Sequence, residues 1–127
     1  MKSLFEDRDA AVAAAEKIKV FAQPQRLMIL SCLLRGERNV GEIGEITGLL
    51  QPGLSQQLGE LRRAELVQTR KEAKQVWYKL TDEKVDLCVR HIEAIFGGVD
   101  TTLPLVKRAP ASQSERTSAV ARFARIL

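Results

Sequence analysis

The sequence has no long apolar run, few aromatic residues and only two cysteines. No segment approaches the roughly 20 apolar residues that a membrane-crossing helix needs, and the N-terminal residues MKSLFEDRDA are charged, unlike a secretion signal. Two cysteines without such a signal indicate a reducing, cytoplasmic setting and no disulfide scaffold. A phosphate-binding glycine loop, a nucleophile–base pair and a cofactor motif are also missing, so we expect neither an enzyme nor a bound cofactor.

What is present is a small, aliphatic and mildly basic chain. Its 127 residues suggest one domain, and with 45% apolar but 5% aromatic residues its core should be aliphatic. The net charge of +4 permits nucleic-acid binding, but residues 97–127 hold five basic and two acidic residues, which leaves +1 for the first 96. Affinity for DNA must therefore come from local patches. We expect residues 1–98 to form the domain and residues 99–127 to form a linker and a basic amphipathic tail.

Two helices are predicted before residue 36. Residues 6–22 should form the first, capped by Ser3 with Glu6 or by a nearby aspartate. Residues 24–34 should form the second, since proline suits a first helical turn and Gly36 a helix end. This second helix is apolar nearly all round and should be buried. The first carries one apolar stripe at helical spacing: Ala11, Ala14, Ile18 and Phe21.

The next two helices carry the main functional signal. Residues 40–47 should form a short helix that ends at Gly48, and a brief link leads into residues 51–66, QPGLSQQLGELRRAEL. In that segment Leu54, Leu58 and Leu61 share one face, while glutamine and serine occupy the other. A helix, a tight turn and a polar-fronted helix form the helix-turn-helix arrangement, whose second helix reads base edges in a major groove. We expect Pro52 within the first turn of this reading helix.

After residue 66 the apolar period changes from 3.6 to 2. Residues 67–69 and 76–80 alternate apolar with polar side chains, which predicts two strands. The charged connector RKEAKQ between them should form the end of a hairpin, or wing. Arg70, Lys71 and Lys74 should then lie near its tip, where cations can contact a DNA backbone.

Thr81 is predicted to cap a fifth helix that ends at Gly97-Gly98. Its apolar stripe, which includes Cys88, requires a partner, and the alanine-rich face of the first helix fits, in the same subunit or across a dimer axis. A short amphipathic helix is expected from Ser112 onward. The predicted fold is thus mainly α with a small β-hairpin (α+β), a winged helix-turn-helix of order ααααββα with an optional C-terminal helix.

The segments PQRLMILSCL, VGEI, LLQPGLSQQLGELRRAELVQTRKE and QVWYKLTDEKV resemble the ArsR/SmtB family of winged helix-turn-helix repressors, over roughly residues 10–96. They are most similar to the branch with the BigR, HlyU and NolR regulators, which lacks a metal site. The resemblance implies a homodimer paired through the first and fifth helices. It further implies two reading helices in successive major grooves of an imperfect inverted repeat, and repression by occluding a promoter.

The candidate DNA-binding residues form two groups, one on the reading helix and one on the wing. The resemblance carries the first group over by position, and Gln57 stands where histidine is common in the family. The candidates are Gln51, Pro52, Gly53, Ser55, Gln56, Gln57, Arg62, Arg70, Lys71, Lys74 and Gln75.

No metal site is expected. The third helix lacks the cysteines that many family members use there, and Asp86 with Cys88 matches only half of the fifth-helix site that others use. Val99 and Thr102 stand where the other half would fall, and neither can ligate a metal. The only histidine, His91, has no companion at metal-ligand spacing.

Two alternatives remain open. Similar regulators respond to oxidants or reactive sulfur through one cysteine on the second helix and one on the fifth, and this chain has Cys32 and Cys88 there. Their register differs, because the family positions align with Ser31 and with a site near Gly97, and Cys88 is expected to be buried. The second alternative is a dimeric protein-interaction module that has lost DNA binding, which the low charge of the first 96 residues would suit.

Overall fold

The computed structural model describes residues 2–98. Within them a winged helix-turn-helix fold is found, mainly α with a small sheet, as predicted. The predicted helix from Ser112 lies outside the described residues, among which no helix is long and apolar enough to cross a membrane. After a 3-10 turn at Leu4–Glu6, the elements are α1 Arg8–Phe21, α2 Pro24–Leu34, β1 Arg38–Asn39, α3 Val40–Thr47, α4 Gly53–Arg63, β2 Val67–Glu72, β3 Gln75–Leu80 and α5 Glu83–Phe96.

The caps define where the helices begin. The Asp7 carboxylate accepts a hydrogen bond from the Ala10 N–H at 3.0 Å, so of the two predicted alternatives the aspartate caps α1 and the Ser3–Glu6 box does not. At α5 the cap is Asp82, which accepts from the Val85 N–H at 3.0 Å, and not the predicted Thr81. In both cases a carboxylate, which accepts more strongly than a hydroxyl, sits directly before the helix.

The sheet has a third strand that the sequence did not predict. β1 pairs antiparallel with β3, Arg38 opposite Tyr78 and Asn39 opposite Trp77, so the strand order is β1-β3-β2. Two polar residues show no alternation from which a strand could be inferred. Asn39 also caps α3 in a reciprocal capping box with Glu42, so the short strand joins the wing to the start of α3.

The wing closes in a two-residue turn. Ala73 and Lys74 have φ of 52° and 66°, as a type I′ hairpin turn requires. β2 therefore runs to Glu72, and Arg70 and Lys71 pair with Trp77 and Val76 inside the ladder. The prediction that the whole connector 70–75 forms the tip is wrong, because ladder pairing outweighs the low strand propensity of charged residues.

The core lies where α2, α3, α4 and α5 converge on the base of the wing. α5 packs against α2, and Glu93 of α5 is 8% exposed. Its carboxylate accepts from the Ser31 hydroxyl at 2.7 Å and from two Arg35 nitrogens at 2.7 and 2.8 Å. The buried apolar residues are Ile29, Leu30, Cys32, Leu33, Ile43, Leu54, Leu58, Leu61, Leu66, Val67, Val85 and Val89.

α1 contributes no buried residue to this core. Ile18 is 64% exposed, and on α5 Leu87 and Ile95 are 38% and 41% exposed. Cys88 is likewise exposed, so the expectation that it is buried is wrong for the single chain. The reason is that α1 does not cover this face of α5 within the subunit.

Candidate nucleic-acid interface

α4 is the polar-fronted helix that the sequence predicts, but it is shorter. Leu54, Leu58 and Leu61 are buried at 3%, 1% and 0% exposure, whereas Ser55 and Gln56 are exposed. The helix begins at Gly53 instead of residue 51, with Pro52 as its N-cap residue. Gln51 and Pro52 thus belong to the turn, because the Ser55 N–H bonds to the Gln51 side chain and the consecutive helical bonds start with Gln56 N–H to Pro52 C=O at 3.2 Å. Pro52 and Gly53 are both exposed.

The C-terminal end of α4 is also earlier than predicted. Ala64 caps the helix and Glu65 adopts φ of 62°, a left-handed conformation usually taken by glycine. The Leu66 N–H then donates to the Leu61 carbonyl at 3.0 Å. This reversal sends the chain directly into β2 and fixes the wing beside α4. Arg62, in the last helical turn, is exposed.

The three glutamines at the start of α4 have different surroundings. Gln51 accepts from the Ser55 N–H at 3.1 Å through Oε1, which helps to cap the helix. Gln57 is half-buried, and its Oε1 accepts from Arg26 Nε at 2.8 Å. Gln56 is exposed, with no hydrogen bond from its side chain to any residue of 2–98. Sequence reasoning missed Arg26, because its contact spans 31 positions.

On the wing, Lys71 and Lys74 are exposed, whereas Arg70 is engaged within the protein. Arg70 donates to Glu37 from Nε at 3.0 Å and from Nη2 at 2.6 Å, and its guanidinium lies 5.7 Å from the centre of the Trp77 ring. It also pairs with Glu72. Hydrogen bonding from Arg70 holds the pKa of Glu37 below its ordinary value. Arg70 therefore braces the wing against the segment before β1, whereas Lys71 and Lys74, at and near the turn, are exposed and make no ion pair with another residue of 2–98.

Gln75, the first residue of β3, is also tied to the body. Its Oε1 accepts from Asn39 Nδ2 at 2.7 Å, while the residue itself remains exposed. The contact lies beside the β1–β3 pairing and holds the wing to the residue that caps α3. The oxygen of Gln75 is thus engaged, whereas its NH₂ group remains a donor for a ligand.

The two cysteines are not equivalent. Cys32 is 6% exposed within the core, and Cys88 is exposed on α5; both thiols are free. Burial raises the pKa of the Cys32 thiol, and partial desolvation at the surface of α5 raises the pKa of the Cys88 thiol. A raised pKa lowers the thiolate fraction, which is the reactive form, so this environment does not favour a thiol switch.

Within residues 2–98, no group of three or more His, Cys, Asp or Glu side chains is arranged to hold a metal ion. His91 is half-buried, and its Nδ1 lies 2.7 Å from the Leu87 carbonyl oxygen, within its own helix. This bond directs the ring along α5. The imidazole is thus satisfied locally in the described part of the chain.

A polar-fronted helix after a tight turn, with a lysine-bearing wing beside it, defines a winged helix-turn-helix DNA-binding protein. Comparison with known proteins agrees. The family model for bacterial regulatory proteins of the arsR family matches residues 23–69. The biofilm growth-associated repressor of Agrobacterium fabrum is 44% identical over 86 residues, which cover 68% of this chain and 74% of the relative.

Solved structures give the same result. The crystal structure of the transcriptional repressor BigR from Xylella fastidiosa matches with a TM-score of 0.68 and 38% identity, over 75% of this chain and 97% of that one. The homodimeric winged helix-turn-helix DNA-binding domain of Mb0332 from Mycobacterium bovis matches with a TM-score of 0.63 and 32% identity, over 70% and 84%. The chain belongs to the arsR family and is a DNA-binding transcriptional regulator.

Proposed function

We propose that the protein is a homodimeric repressor that binds an inverted-repeat operator without a metal effector. The observation that supports DNA reading by α4 is its polar, exposed start, which lies opposite a row of fully buried leucines. Ser55 and Gln56 are exposed on one side of the helix, and the opposite side packs in the core. In this mode α4 enters the major groove, and Lys71 and Lys74 of the wing contact the phosphate backbone.

The apolar faces of α1 and α5 support the dimer. Val12 and Ile18 on α1 are 50% and 64% exposed, and Leu87 and Ile95 on α5 are 38% and 41% exposed. Exposed apolar side chains on these two helices gain free energy by burial against a second copy. A two-fold dimer would present two α4 helices to half-sites about one DNA turn apart, which is why the operator should be an inverted repeat. The homodimeric Mycobacterium bovis relative is consistent with this assembly.

Control without a metal is proposed because residues 2–98 bring no three metal-ligating side chains together. A thiol response is not favoured, since Cys32 is buried in the core and desolvation raises the pKa of both thiols. DNA affinity of reduced, oxidised and polysulfide-treated protein tests this point, with Cys32→Ser and Cys88→Ser as controls. Equal affinity throughout is expected, and a loss that depends on either cysteine would contradict it.

Selection of bound sequences from random double-stranded DNA tests the DNA mode directly. We expect an enriched motif with two-fold symmetry, bound by a dimer. The affinity should fall steeply with salt, because lysine–phosphate contacts release counterions. A protein-interaction module without DNA binding would enrich no sequence and would show no salt-dependent shift.

A further inference from the structure

The carboxamide of Gln57 is oriented by Arg26, and the chemistry of the pair fixes that orientation. An arginine guanidinium has only donors, so the Gln57 atom 2.8 Å from Arg26 Nε must be the acceptor oxygen. The nitrogen of the amide then occupies the other corner of the same plane. Arg26 is itself held, because its Nη1 donates to the Val20 carbonyl at 3.4 Å.

The NH₂ group of Gln57 is the part left for a ligand. Among residues 2–98 no acceptor takes a hydrogen bond from it. Gln57 also lines a small cleft of about 190 Å³ between the starts of α2 and α4, together with Gln25, Leu50 and Gly53. A group approaching α4 from its N-terminal side therefore meets a glutamine whose oxygen is held against Arg26 and whose nitrogen is free.

We infer, on the basis of the DNA-reading role proposed for α4, that Arg26 is a positioning residue that makes Gln57 a donor-only reader of an acceptor-rich base edge. Gln56, which is exposed and unpartnered among the described residues, keeps both its donor and its acceptor. The two adjacent glutamines would thus recognise different base edges. A free glutamine matches adenine, which offers an acceptor at N7 and a donor at N6. A donor-only glutamine matches guanine, whose N7 and O6 both accept.

The oxygen of Gln57 has a second lone pair, but it does not restore adenine reading. The guanidinium holds that corner of the amide toward α2, and a planar amide cannot turn its oxygen to a base without losing the bond to Arg26. Adenine opposite Gln57 would then leave its N6 donor unpaired in the interface. One unmade hydrogen bond of this kind corresponds to a preference for guanine of roughly three- to tenfold.

Selection from random DNA with four proteins tests the inference: the full wild-type chain, Gln57→Ala, Gln57→Glu and Arg26→Met. Gln57→Ala identifies the half-site position that Gln57 reads. At that position the wild type should prefer guanine over adenine, and Arg26→Met, which frees the oxygen, should bring the ratio close to one. Gln57→Glu keeps the bond to Arg26 but has no donor, so it should lose the preference for guanine and gain cytosine, whose N4 donates.

A purely structural role of Arg26 would change stability and overall affinity but not base preference at one position. Arg26→Lys, which keeps a donor, should retain part of the guanine preference, and the melting temperatures of all variants report folding. Failure of the wild type to enrich any sequence would overturn the proposed function and this inference with it. An enriched motif whose Gln57 position is unchanged in Arg26→Met, or prefers adenine in the wild type, would overturn the inference alone.

Discussion

Gln56 and Lys74 are two exposed side chains to which the proposed binding mode gives different roles. Gln56 lies on the exposed side of α4, and Lys74 lies in the turn of the wing with φ of 66°. A carboxamide can discriminate between bases, whereas a lysine beside a phosphate cannot. The two positions should therefore respond differently to truncation.

Replacing Gln56 by alanine should weaken binding to the selected operator by roughly 1–3 kcal/mol, the usual contribution of one base contact, and spare binding to random DNA. Titration of the operator and of a scrambled duplex measures the difference. Lys17→Ala, at an exposed lysine of α1, is the control and should change neither. An equal loss on both duplexes would mean that Gln56 contacts the backbone.

Replacing Lys74 by alanine should weaken binding to all sequences by a similar factor. One phosphate contact is lost, so the slope of log affinity against log salt should become shallower by about 1. Binding measured over a series of salt concentrations gives that slope. A loss confined to the operator, with an unchanged slope, would contradict the assignment.

Glu65 is a residue whose backbone favours a different side chain. Its φ of 62° lies in the left-handed region, where a Cβ atom is costly and glycine is not. Glu65→Gly should therefore raise the free energy of unfolding by about 0.5–1 kcal/mol, measured by chemical denaturation. Glu60→Gly, inside α4, should lower it by about 1 kcal/mol. Destabilisation by both substitutions would show that the Glu65 side chain stabilises the turn in another way.

The residues also show why part of the site could be predicted and part could not. The exposed start of α4 follows from local spacing, because Leu54, Leu58 and Leu61 can share only one face. The role of Arg70 depends on Glu37, 33 positions away, and that of Gln57 on Arg26, 31 positions away. Such pairs form only after the elements have packed, so the sequence indicated a free cation and a free glutamine.

Among the elements, the predicted bounds were correct where a proline or a glycine marks the beginning or the end of a helix. α2 and α3 have the predicted bounds, since Pro24 begins one helix and Gly48, at φ of 77°, ends the other. α4 is shorter than predicted because Glu65, not a glycine, makes its terminal left-handed turn. β1 was not predicted because it exists only through pairing with β3.

The junction of α2 and α5 depends on the ionised carboxylate of Glu93. Hydrogen bonds from Arg35, and further from Ser31, hold the pKa of Glu93 below its ordinary 4.5, although burial opposes them. A lowered folded-state pKa means that the stabilisation is complete above the unfolded pKa and is lost as the pH falls through the folded value.

Replacing Glu93 by glutamine should therefore cost about 1–3 kcal/mol of unfolding free energy near neutral pH. The cost should lie at the lower end, since the Arg35 side chain is 51% exposed and regains water. The difference between wild type and Glu93→Gln should shrink as the pH falls below about 4.5. Denaturation at several pH values measures it, and a difference independent of pH would show that charge is not involved.

At the scale of the whole molecule, the exposed apolar residues of α1 and α5 suggest that DNA binding depends on the proposed dimer. Replacing Ile18 by glutamate should dissociate the proposed dimer, since a charge at a buried interface is costly. Sedimentation analysis should give a monomer, and operator affinity should fall together with it. Ile46→Glu, at a 58% exposed position on α3, is the matched control and should leave the dimer intact. A dimer that survives Ile18→Glu would place the interface elsewhere.

The short strand β1 has a consequence for the length of DNA that the protein can accept. Asn39 caps α3, pairs with Trp77 and donates to Gln75, so α3 and the wing are held together by direct contacts. In the proposed binding mode, the distance between the groove contacts of α4 and the flank contacts of the wing is therefore fixed. One inserted base pair displaces the outer contact by about 3.4 Å and turns it by roughly 35°. We expect the interval between groove and flank contacts to be as invariant among its operators as the bases themselves.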